Sequence, residues 1–253
     1  YLVSGSRLSK VDTSTGTETG FRVFSGVTLG RPTLFRLKGG AADEMIVAGE
    51  DGYVYALNPN TLAPPNWTRS VQRPACTADS VTAAPVVQLF DRSDLNFRAA
   101  VNADVVIVGT HYGCATATAN RVYGLNANNG DILWMFNSTG ASQMDVVNGL
   151  TLDHNRNTVY VVSDHSEAGS QTTVWALSTT NGAKRWSVDW GAIGAEPGLG
   201  KDGLFVCSRS GTLYKLDLDT GTTLWQTNVT SGGNLITRLT VDAANGRIYV
   251  LDT

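Results

Sequence analysis

The chain has 253 residues, of which 42% are hydrophobic and 16% charged, and its formal net charge is −3. This length is sufficient for a sizeable core and is common for a single all-β domain. The slight negative net charge gives no electrostatic reason to expect a nucleic-acid partner, which would require a basic face. No apolar run approaches the ~18 residues of a membrane-spanning helix.

One phrase, a strand followed by a polar turn and a strand with tryptophan, occurs four times. In chain order the copies are GYVYALNPNTLAPPNW at 52–67, NRVYGLNANNGDILW at 120–134, TTVWALSTTNGAKRW at 172–186 and GTLYKLDLDTGTTLW at 211–225. A fainter copy at 6–21 reads SRLSKVDTSTGTETGF and has Phe21 near the tryptophan position. A repeated unit of this size cannot bury its own apolar face, so neighbouring copies must stack.

Each copy predicts a β-hairpin, because its side chains alternate with the period of two that is typical of strands. Glycine in the turn supplies the positive φ that a tight reversal needs. A second strand pair precedes each hairpin, as in residues 150–153 and 158–163. Four strands in an up-and-down meander form a β-propeller blade.

We therefore predict an all-β chain, a β-propeller of four-stranded antiparallel blades, with about six blades or as a segment of a larger propeller. A single domain is expected over residues 1–253, with blades at about 1–26, 27–73, 74–140, 141–192, 193–232 and a partial one at 233–253.

The two ends of the chain leave two interpretations open. The last segment supplies the first two strands of a blade, whereas the N-terminal unit begins at its own second strand, so that strand would be present twice in a closed ring. Either the ends share a sixth blade with one strand reassigned, or the chain is part of a longer propeller. The chain begins in a strand without Met or a signal peptide, which indicates a mature or excised segment.

The chain has three cysteines, and an odd count leaves at least one unpaired or paired with another chain. Cys76 precedes the third blade, and Cys114 lies in the loop between that blade's second and third strands. These two connections emerge on one face, so we predict a Cys76–Cys114 disulfide, with two free thiols as the alternative. Cys207 alternates into a strand and is predicted to be a small buried side chain.

Three sequons begin at Asn66, Asn137 and Asn228. Such triplets arise often by chance in a chain rich in Asn and Thr. However, Asn137 and Asn228 each follow the repeat tryptophan by three residues. Together with the low charge, they favour a secreted or surface-exposed glycoprotein.

An aromatic-x-Leu-Asp/Asn strand end, a Thr/Asn-Gly turn and a strand with Trp resemble the quinoprotein (PQQ-like) propeller repeat. The residues that carry this resemblance are Tyr55–Asn58, Tyr123–Asn126, Trp175–Leu177 and Tyr214–Asp217, with the turn glycines Gly130, Gly182 and Gly221. The resemblance implies that each repeat tryptophan docks on the turn of the next blade. Their role would then be packing and hydrogen bonding by the indole N–H. These docking residues are Trp67, Trp134, Trp186 and Trp225.

The family indicated by this resemblance contains both enzymes and non-catalytic scaffolds. The dehydrogenases of this family have eight blades, a quinone at the axis, a bound calcium and an Asp base, and the best-known alcohol-oxidising ones also have a disulfide between adjacent cysteines. Here no two cysteines are adjacent and no Cys-x-x-Cys-His haem motif occurs. The chain is more similar to non-catalytic members, such as the bacterial lipoprotein that assists outer-membrane protein assembly.

Two histidines are candidates for a metal or catalytic cluster. His111 and His165 occupy equivalent loops in neighbouring blades, and Asp164 and Glu167 are close to His165 in sequence. A site would require these side chains to converge. An ordinary solvated rim is the favoured interpretation, and His154 belongs to a turn on the opposite face.

No catalytic residue and no resident cofactor are predicted. A loose calcium site at Glu50, Asp51 and Asp145 is left open, although no Asp-x-Asp-x-Asp-Gly loop occurs. No Gly-x-Ser-x-Gly elbow supports serine catalysis.

The leading hypothesis is a non-enzymatic propeller in an extracellular, cell-surface or periplasmic location. It would bind protein partners through its loop face or outer strands, as an interaction, structural or assembly module, without membrane insertion. One alternative is a fragment or divergent member of a PQQ-dependent dehydrogenase. A carbohydrate-binding propeller is a third hypothesis, which rests only on aromatic residues expected to be exposed, such as Tyr112 and Trp190.

Overall fold

The fold consists of antiparallel β-sheets throughout its described part. The computed structural model describes residues 1–36, 43–73, 78–89, 103–111, 120–137, 144–164, 172–229, 239–242 and 244–250. In chain order the strands are β1 (Leu2–Ser4), β2 (Arg7–Val11), β3 (Glu18–Val23), β4 (Thr33–Arg36), β5 (Asp43–Ala48), β6 (Tyr53–Leu57), β7 (Trp67–Ser70), β8 (Val86–Gln88), β9 (Val105–Gly109), β10 (Arg121–Asn126), β11 (Ile132–Asn137), β12 (Val147–Asp153), β13 (Thr158–Ser163), β14 (Val174–Ser178), β15 (Lys184–Val188), β16 (Gly198–Leu199), β17 (Leu204–Cys207), β18 (Thr212–Leu216), β19 (Thr223–Asn228), β20 (Leu239–Asp242) and β21 (Arg247–Val250). Within these ranges, no helix is long and apolar enough to cross a membrane.

These strands form six sheets, in which strands that follow one another in sequence pair with one another. β1–β3 form a three-stranded sheet and β20–β21 a two-stranded sheet. The four sheets between them each have four strands, β4–β7, β8–β11, β12–β15 and β16–β19. This order is the up-and-down meander that the repeat predicts.

Sequence explains which strands lie inside. The second and third strands of a sheet are nearly continuous apolar runs, such as β9 and β14, and every residue of these two strands is buried. Side chains on both faces of these two strands are therefore shielded from solvent. The fourth strands alternate instead, as in β15, where Trp186 is buried and Lys184 and Arg185 are exposed.

The chain divides into two compact units, residues 1–117 with 122–135 and residues 118–121 with 136–253. In the first unit, β4 lies beside β8, and a core layer joins Ile46 and Val54 to Val106 and Val108. In the second unit, β16 lies between β12 and β20, and a similar layer lies between β13–β14 and β17–β18. Within each unit the core is thus a layer between consecutive sheets, as stacked repeats require.

The turn before the last strand of the sheet has the same backbone geometry in five sheets. The N–H of its fifth residue donates to the carbonyl of its first residue at 2.8–2.9 Å, in the turns Asp12–Gly16, Asn58–Leu62, Asn126–Gly130, Ser178–Gly182 and Asp217–Gly221. A side-chain oxygen of the first residue accepts the N–H of the third residue. Asp, Asn and Ser recur at the first position because their short side chains can make this bond.

Two sheets depart from the predicted repeat. Leu62 occupies the turn position of glycine, with a φ of 51°. In the first sheet, Gly20 pairs with Lys10 at the register where the other sheets have tryptophan. The predicted placement of Phe21 near the tryptophan position is therefore off by one residue, and Phe21 is 55% exposed.

The two end sheets have the strand roles that the sequence predicts. β1–β3 correspond to the second, third and fourth strands of a blade, and β20–β21 to the first and second. The second-strand role thus occurs in both end sheets. Closure of a ring and the single-domain assignment stay predictions.

The carboxylates that begin two of these turns have lowered pKa values. The hydroxyl of Ser14 and the backbone N–H of Thr15 lower the pKa of Asp12 to about 2. The hydroxyl and backbone N–H of Thr220 lower the pKa of Asp217 in the same way. Hydrogen bonds to the ionised form favour that form, which is the cause of both shifts.

Acid should loosen these turns. Because the folded pKa lies below the ordinary value of 3.8, the stabilisation is complete above about pH 4 and is lost as pH falls through the folded value. The double variant D12N/D217N should match the wild type at pH 7, since Asn58 and Asn126 begin equivalent turns. It should lose less stability than the wild type between pH 4 and pH 2, as measured by urea midpoints. An equal loss in both proteins would contradict this explanation.

Candidate interaction surfaces

The tryptophan of the second sheet packs on the hairpin turn of the third sheet. Trp67 is 9% exposed, and its Nε1 donates to the carbonyl of Ala127 at 2.8 Å. A Cβ at Gly130 would lie 2.5 Å from the Trp67 ring, so the turn must have glycine beneath the indole. Arg69 adds a second bond from the same strand, with its Nε 2.6 Å from the carbonyl of Gly130.

The fourth and fifth sheets make the same contact. Trp186 Nε1 donates to the carbonyl of Leu218 at 3.0 Å, and a Cβ at Gly221 would lie 2.5 Å from the Trp186 ring. The Tyr160 hydroxyl donates to the same carbonyl at 3.1 Å. We refer to this arrangement, an indole on a turn glycine with its N–H bonded to the turn's second carbonyl, as the Trp–Gly latch.

Trp134 packs on a glycine of its own sheet. It is 7% exposed and lies over Gly124, where a Cβ would be 2.1 Å from the indole. Gly182 has the left-handed backbone of the other turn glycines, with a φ of 70°. A latch between Trp134 and Gly182 stays a prediction.

Trp225 differs from the other repeat tryptophans. It is 40% exposed, and its ring lies 5.9 Å from the ring of Phe205. The residue opposite it on the neighbouring strand is Lys215, whereas Trp67 and Trp186 lie opposite alanines. In the described part of the chain, no turn glycine packs on Trp225.

The seam between the first and second sheets uses other residues for the same contact. Gly20 leaves the tryptophan position empty, and the buried Leu62 lies where the other turns have glycine. Arg22 donates to the carbonyl of Leu62 at 3.2 Å, and the Tyr1 hydroxyl donates to the carbonyl of Pro59 at 2.8 Å. Sequence reasoning missed this exchange, although counting four residues on from Gly16 would have found Gly20.

The loop face is built as its topology predicts. The connections that precede a sheet pair with the end of that sheet's second strand, in the bridges Leu29–Gly49, Ser80–His111 and Ile193–Ser208. His111 exchanges both backbone hydrogen bonds with Ser80, at 2.8 and 2.9 Å. His165 and Glu167 lie outside the described residues, and His154 lies in the turn between β12 and β13.

The loop face also contains carboxylates that bind arginines. Asp79 is 1% exposed, and both of its oxygens accept hydrogen bonds from the Arg73 guanidinium at 2.8 Å. Asp164 pairs with Arg209 at 2.8 Å. Neither ion pair was predicted from the sequence.

Two of the three candidate calcium ligands, Asp51 and Asp145, accept hydrogen bonds within the protein, and Glu50 is exposed. Asp51 accepts hydrogen bonds from the backbone N–H of Tyr53 and from the Tyr55 hydroxyl. The pKa of Tyr55 is raised, mainly because the hydroxyl is removed from solvent and also because it donates to the Asp51 carboxylate. Asp145 is buried and accepts the N–H of Val146 at 2.6 Å. In the described ranges, no three His, Cys, Asp or Glu side chains converge as a metal site. The absence of a resident cofactor stays a prediction.

The described thiol is structural. Cys207 is free and 1% exposed, which confirms the prediction of a small buried side chain. Burial raises its pKa to about 12, so it is protonated at neutral pH and is a poor nucleophile. Cys76 and Cys114 lie outside the described residues, and their disulfide stays a prediction.

The three sequon asparagines, Asn66, Asn137 and Asn228, are exposed. The Asn66 amide donates to the Glu44 carboxylate at 2.9 Å. Glycosylation of these residues stays a prediction.

The carbohydrate hypothesis receives no exposed aromatic platform from Trp190. Its ring is partly buried and stacks on Tyr214, with ring centroids 4.9 Å apart and an interplanar angle of 24°. The expectation that Trp190 is exposed is therefore wrong. Tyr112 lies outside the described residues.

The outer strand β11 has an unusual surface. Ile132, Leu133 and Met135 are 48%, 38% and 45% exposed. Five of the six residues of β11 are apolar and none is charged. β11 is the terminal strand of its sheet, so one of its backbone edges is not paired within that sheet.

Comparison with known proteins shows a likeness to PQQ-like repeats in the C-terminal third of the chain. Residues 170–253 match a family model described as outer membrane protein assembly factor BamB. No curated protein matches the chain in sequence.

Solved structures extend the likeness to nearly the whole chain. BamB from Moraxella catarrhalis is 20% identical with a TM-score of 0.57, covering 89% of this chain and 59% of that one. Quinohemoprotein alcohol dehydrogenase from Comamonas testosteroni is 16% identical with a TM-score of 0.66, covering 99% and 44%. The Dos1 propeller is 12% identical with a TM-score of 0.65, covering 92% and 56%.

The predicted fold is thus confirmed as a β-propeller of four-stranded blades, and the resemblance to the PQQ-like repeat family is confirmed. This chain spans about half the length of the structures it matches. Because an assembly factor and a dehydrogenase share these blades, the fold alone does not decide between a scaffold and an enzyme.

The Trp–Gly latch predicts different costs for one substitution at two similar turns. Gly221 and Gly16 have nearly the same φ, 72° and 70°, so alanine should be strained by about 1–2 kcal/mol at both. At Gly221 the added Cβ also meets the Trp186 ring, whereas at Gly16 no described atom lies within 4 Å. Gly221→Ala should therefore cost about 1–3 kcal/mol more than Gly16→Ala in chemical denaturation. Equal costs would show that the latch does not require glycine.

Proposed function

We propose that this chain is a non-enzymatic interaction module that binds a protein partner along β11. Its location would be extracellular, periplasmic or on the cell surface. The observation that carries the proposal is the uncharged, apolar outer strand, with Ile132, Leu133 and Met135 exposed.

The other outer strands show why β11 is unusual. Proteins commonly protect an exposed strand edge with charged side chains, since an open edge invites another strand to pair. β3 has Glu18 and Arg22, β7 has Arg69, and β15 has Lys184 and Arg185. β19 is uncharged, but four of its six residues are Thr, Gln or Asn. β11 has neither form of protection.

Strand addition is the binding mode that this edge supports. The N–H and C=O groups on the outer edge of β11, which no strand of its own sheet pairs, would bond to an extended partner segment, and the exposed side chains would select that segment. The exposed side chains are apolar, so the partner strand should have apolar residues at alternate positions and few charges. The match of residues 170–253 to an assembly-factor family supports a role in protein assembly.

Site-specific photo-crosslinking tests this proposal. Benzoylphenylalanine would replace Met135, and as a control Thr68, because each directly follows its repeat tryptophan and is exposed. In the cells that produce the protein, the Met135 probe should give a covalent adduct with one protein partner, and the Thr68 probe should not. No adduct at Met135, or the same adducts at both positions, would contradict binding along β11.

The competing dehydrogenase hypothesis has its own test. Because the described carboxylates bind arginines, tyrosines or backbone groups, the purified chain should bind no PQQ in the presence of calcium. Absorbance of the washed protein should show no retained quinone, and alcohols should give no calcium-dependent dye reduction. A stoichiometric quinone with dye reduction would overturn the proposal of a non-enzymatic module.

A further inference from the structure

The two Trp–Gly latches differ in the residue that precedes the turn glycine. In the turn beneath Trp186 this residue is Thr220, whereas in the turn beneath Trp67 it is Asn129. An asparagine before glycine can react with the main chain, because glycine has no side chain to hinder attack by its backbone nitrogen. One of two otherwise similar latches therefore contains a residue that can change chemically without an enzyme.

The reaction exchanges the side-chain amide for a carboxylate. The Gly130 nitrogen attacks the side-chain carbonyl carbon of Asn129, a new C–N bond forms, and the bond to Nδ2 breaks. The NH2 group leaves as ammonia with the proton of the Gly130 nitrogen, and a cyclic succinimide is left in the main chain. Water then adds to either carbonyl of this ring. One opening gives an ordinary aspartate, and the other gives isoaspartate, whose backbone is longer by one methylene.

The amide of Asn129 is accessible and polarised in the folded chain. The residue is exposed, and its Oδ1 accepts the backbone N–H of Asp131 at 3.0 Å. This bond would stabilise the negative charge that develops on the oxygen when the carbon is attacked. Nδ2 donates to the Asp131 carboxylate at 2.8 Å. The electrophilic half of the reaction is therefore already in place.

The nucleophile, in contrast, is held by the latch. Gly130 N–H donates to the Asn126 carbonyl at 2.8 Å, and Gly130 is buried. The Trp67 ring would lie only 2.5 Å from a Cβ on this glycine, and Arg69 bonds to its carbonyl at 2.6 Å. A nitrogen whose N–H is bonded, in a residue contacted from two sides, cannot turn towards the amide. The reaction therefore requires the latch to open.

We propose that Asn129 is a site of spontaneous deamidation whose rate is set by opening of the latch beneath Trp67. The only co-reactant is water, and loss of ammonia makes the change irreversible. The site therefore converts transient opening of one seam into a permanent covalent change. It involves the second and third sheets and does not depend on partner binding along β11, so the inference goes beyond the proposed function.

Both products should weaken the latch. Isoaspartate lengthens the backbone between the Ala127 carbonyl and Gly130, the two groups that Trp67 contacts. Aspartate places a second carboxylate where Nδ2 now lies, 2.8 Å from the carboxylate of Asp131. The longer backbone should be the more damaging change, because the indole needs the glycine and the carbonyl at a fixed separation.

Ageing of the purified protein tests whether the latch controls the reaction. Peptide mass spectrometry would follow aspartate and isoaspartate at Asn129 at mildly alkaline pH, in the folded protein and in urea. The folded protein should react at least about tenfold more slowly, since only its open fraction can react. Equal rates in the two conditions would overturn the proposal, as would a folded protein that forms no product at all.

Two variants should accelerate the reaction by opening the latch more often. Trp67→Phe keeps an apolar ring but removes the N–H bond to the Ala127 carbonyl. Reaction at Asn129 should become about fivefold faster, the effect of one lost hydrogen bond on the open fraction. Arg69→Ala removes the other bond to the turn and should act in the same direction, which provides a second test if the first variant does not fold. An unchanged rate in the folded variants would contradict control by the latch.

A second asparagine in the same molecule separates latch opening from general unfolding. Asn245 also precedes a glycine, but no described atom lies within 4 Å of a Cβ built on Gly246. Its rate in the same sample should therefore be unchanged by Trp67→Phe. Equal acceleration of Asn245 and Asn129 would show a general loss of stability and overturn the assignment to the latch.

Two substitutions of Asn129 test the consequence for stability. Asn129→Thr copies Thr220 of the other latch, whose hydroxyl accepts the N–H two residues later at 3.3 Å. The urea midpoint of this variant should fall less on ageing than that of the wild type, which should fall with its isoaspartate content. Asn129→Asp adds charge without lengthening the backbone and should lower the midpoint less than isoaspartate does. An equal fall on ageing in the wild type and Asn129→Thr would show that the product does not weaken the latch, contrary to the proposal.

Discussion

At two seams between sheets the stacking depends on one contact, an indole resting on a left-handed turn glycine of the next sheet. A four-stranded sheet of this chain is apolar on both faces and cannot be stable alone, so sheets must stack. Burial of the large apolar ring supplies most of the favourable free energy of this contact. The hydrogen bond from Trp67 to Ala127 adds only about 1 kcal/mol. Because that bond has a direction, it fixes where along the neighbour the sheet lies, which burial alone does not do.

This constraint separates the structural residues from those that are free to interact. Central strands such as β9 and β14 are wholly buried, and the loop-face carboxylates are held by arginines, as in the Asp79–Arg73 pair. The outer edge of β11 is one surface that stacking does not bury. Its side chains Ile132, Leu133 and Met135 are apolar and exposed. The proposed interaction therefore uses apolar surface that is left exposed after the sheets have packed.

Strands and hairpins could be predicted from alternation and turn residues, because both depend on neighbours in sequence. The prediction failed where a partner from another sheet decides the outcome. Leu62 could not be recognised as a turn residue with positive φ, since the space for its side chain exists only because Gly20 is small. The phrase around Trp225 looks like its sister copies, yet Trp225 is 40% exposed and lies opposite Lys215. The predicted exposure of Trp190 is wrong because its ring stacks on Tyr214. This stacking is a tertiary contact, which the local sequence does not indicate.

The exchange between Gly20 and Leu62 has a consequence for how such a chain can change over time. Repeats of one family are often regarded as interchangeable modules that can be duplicated, deleted or reordered. Here the first seam has different contact residues from the seams with a Trp–Gly latch. A tryptophan placed next to Leu62 would collide with the leucine side chain. Gly20 placed next to Gly221 would leave a void. The blades therefore have a fixed order written into their contact surfaces. A rearranged gene would first need paired substitutions at both sides of each new seam.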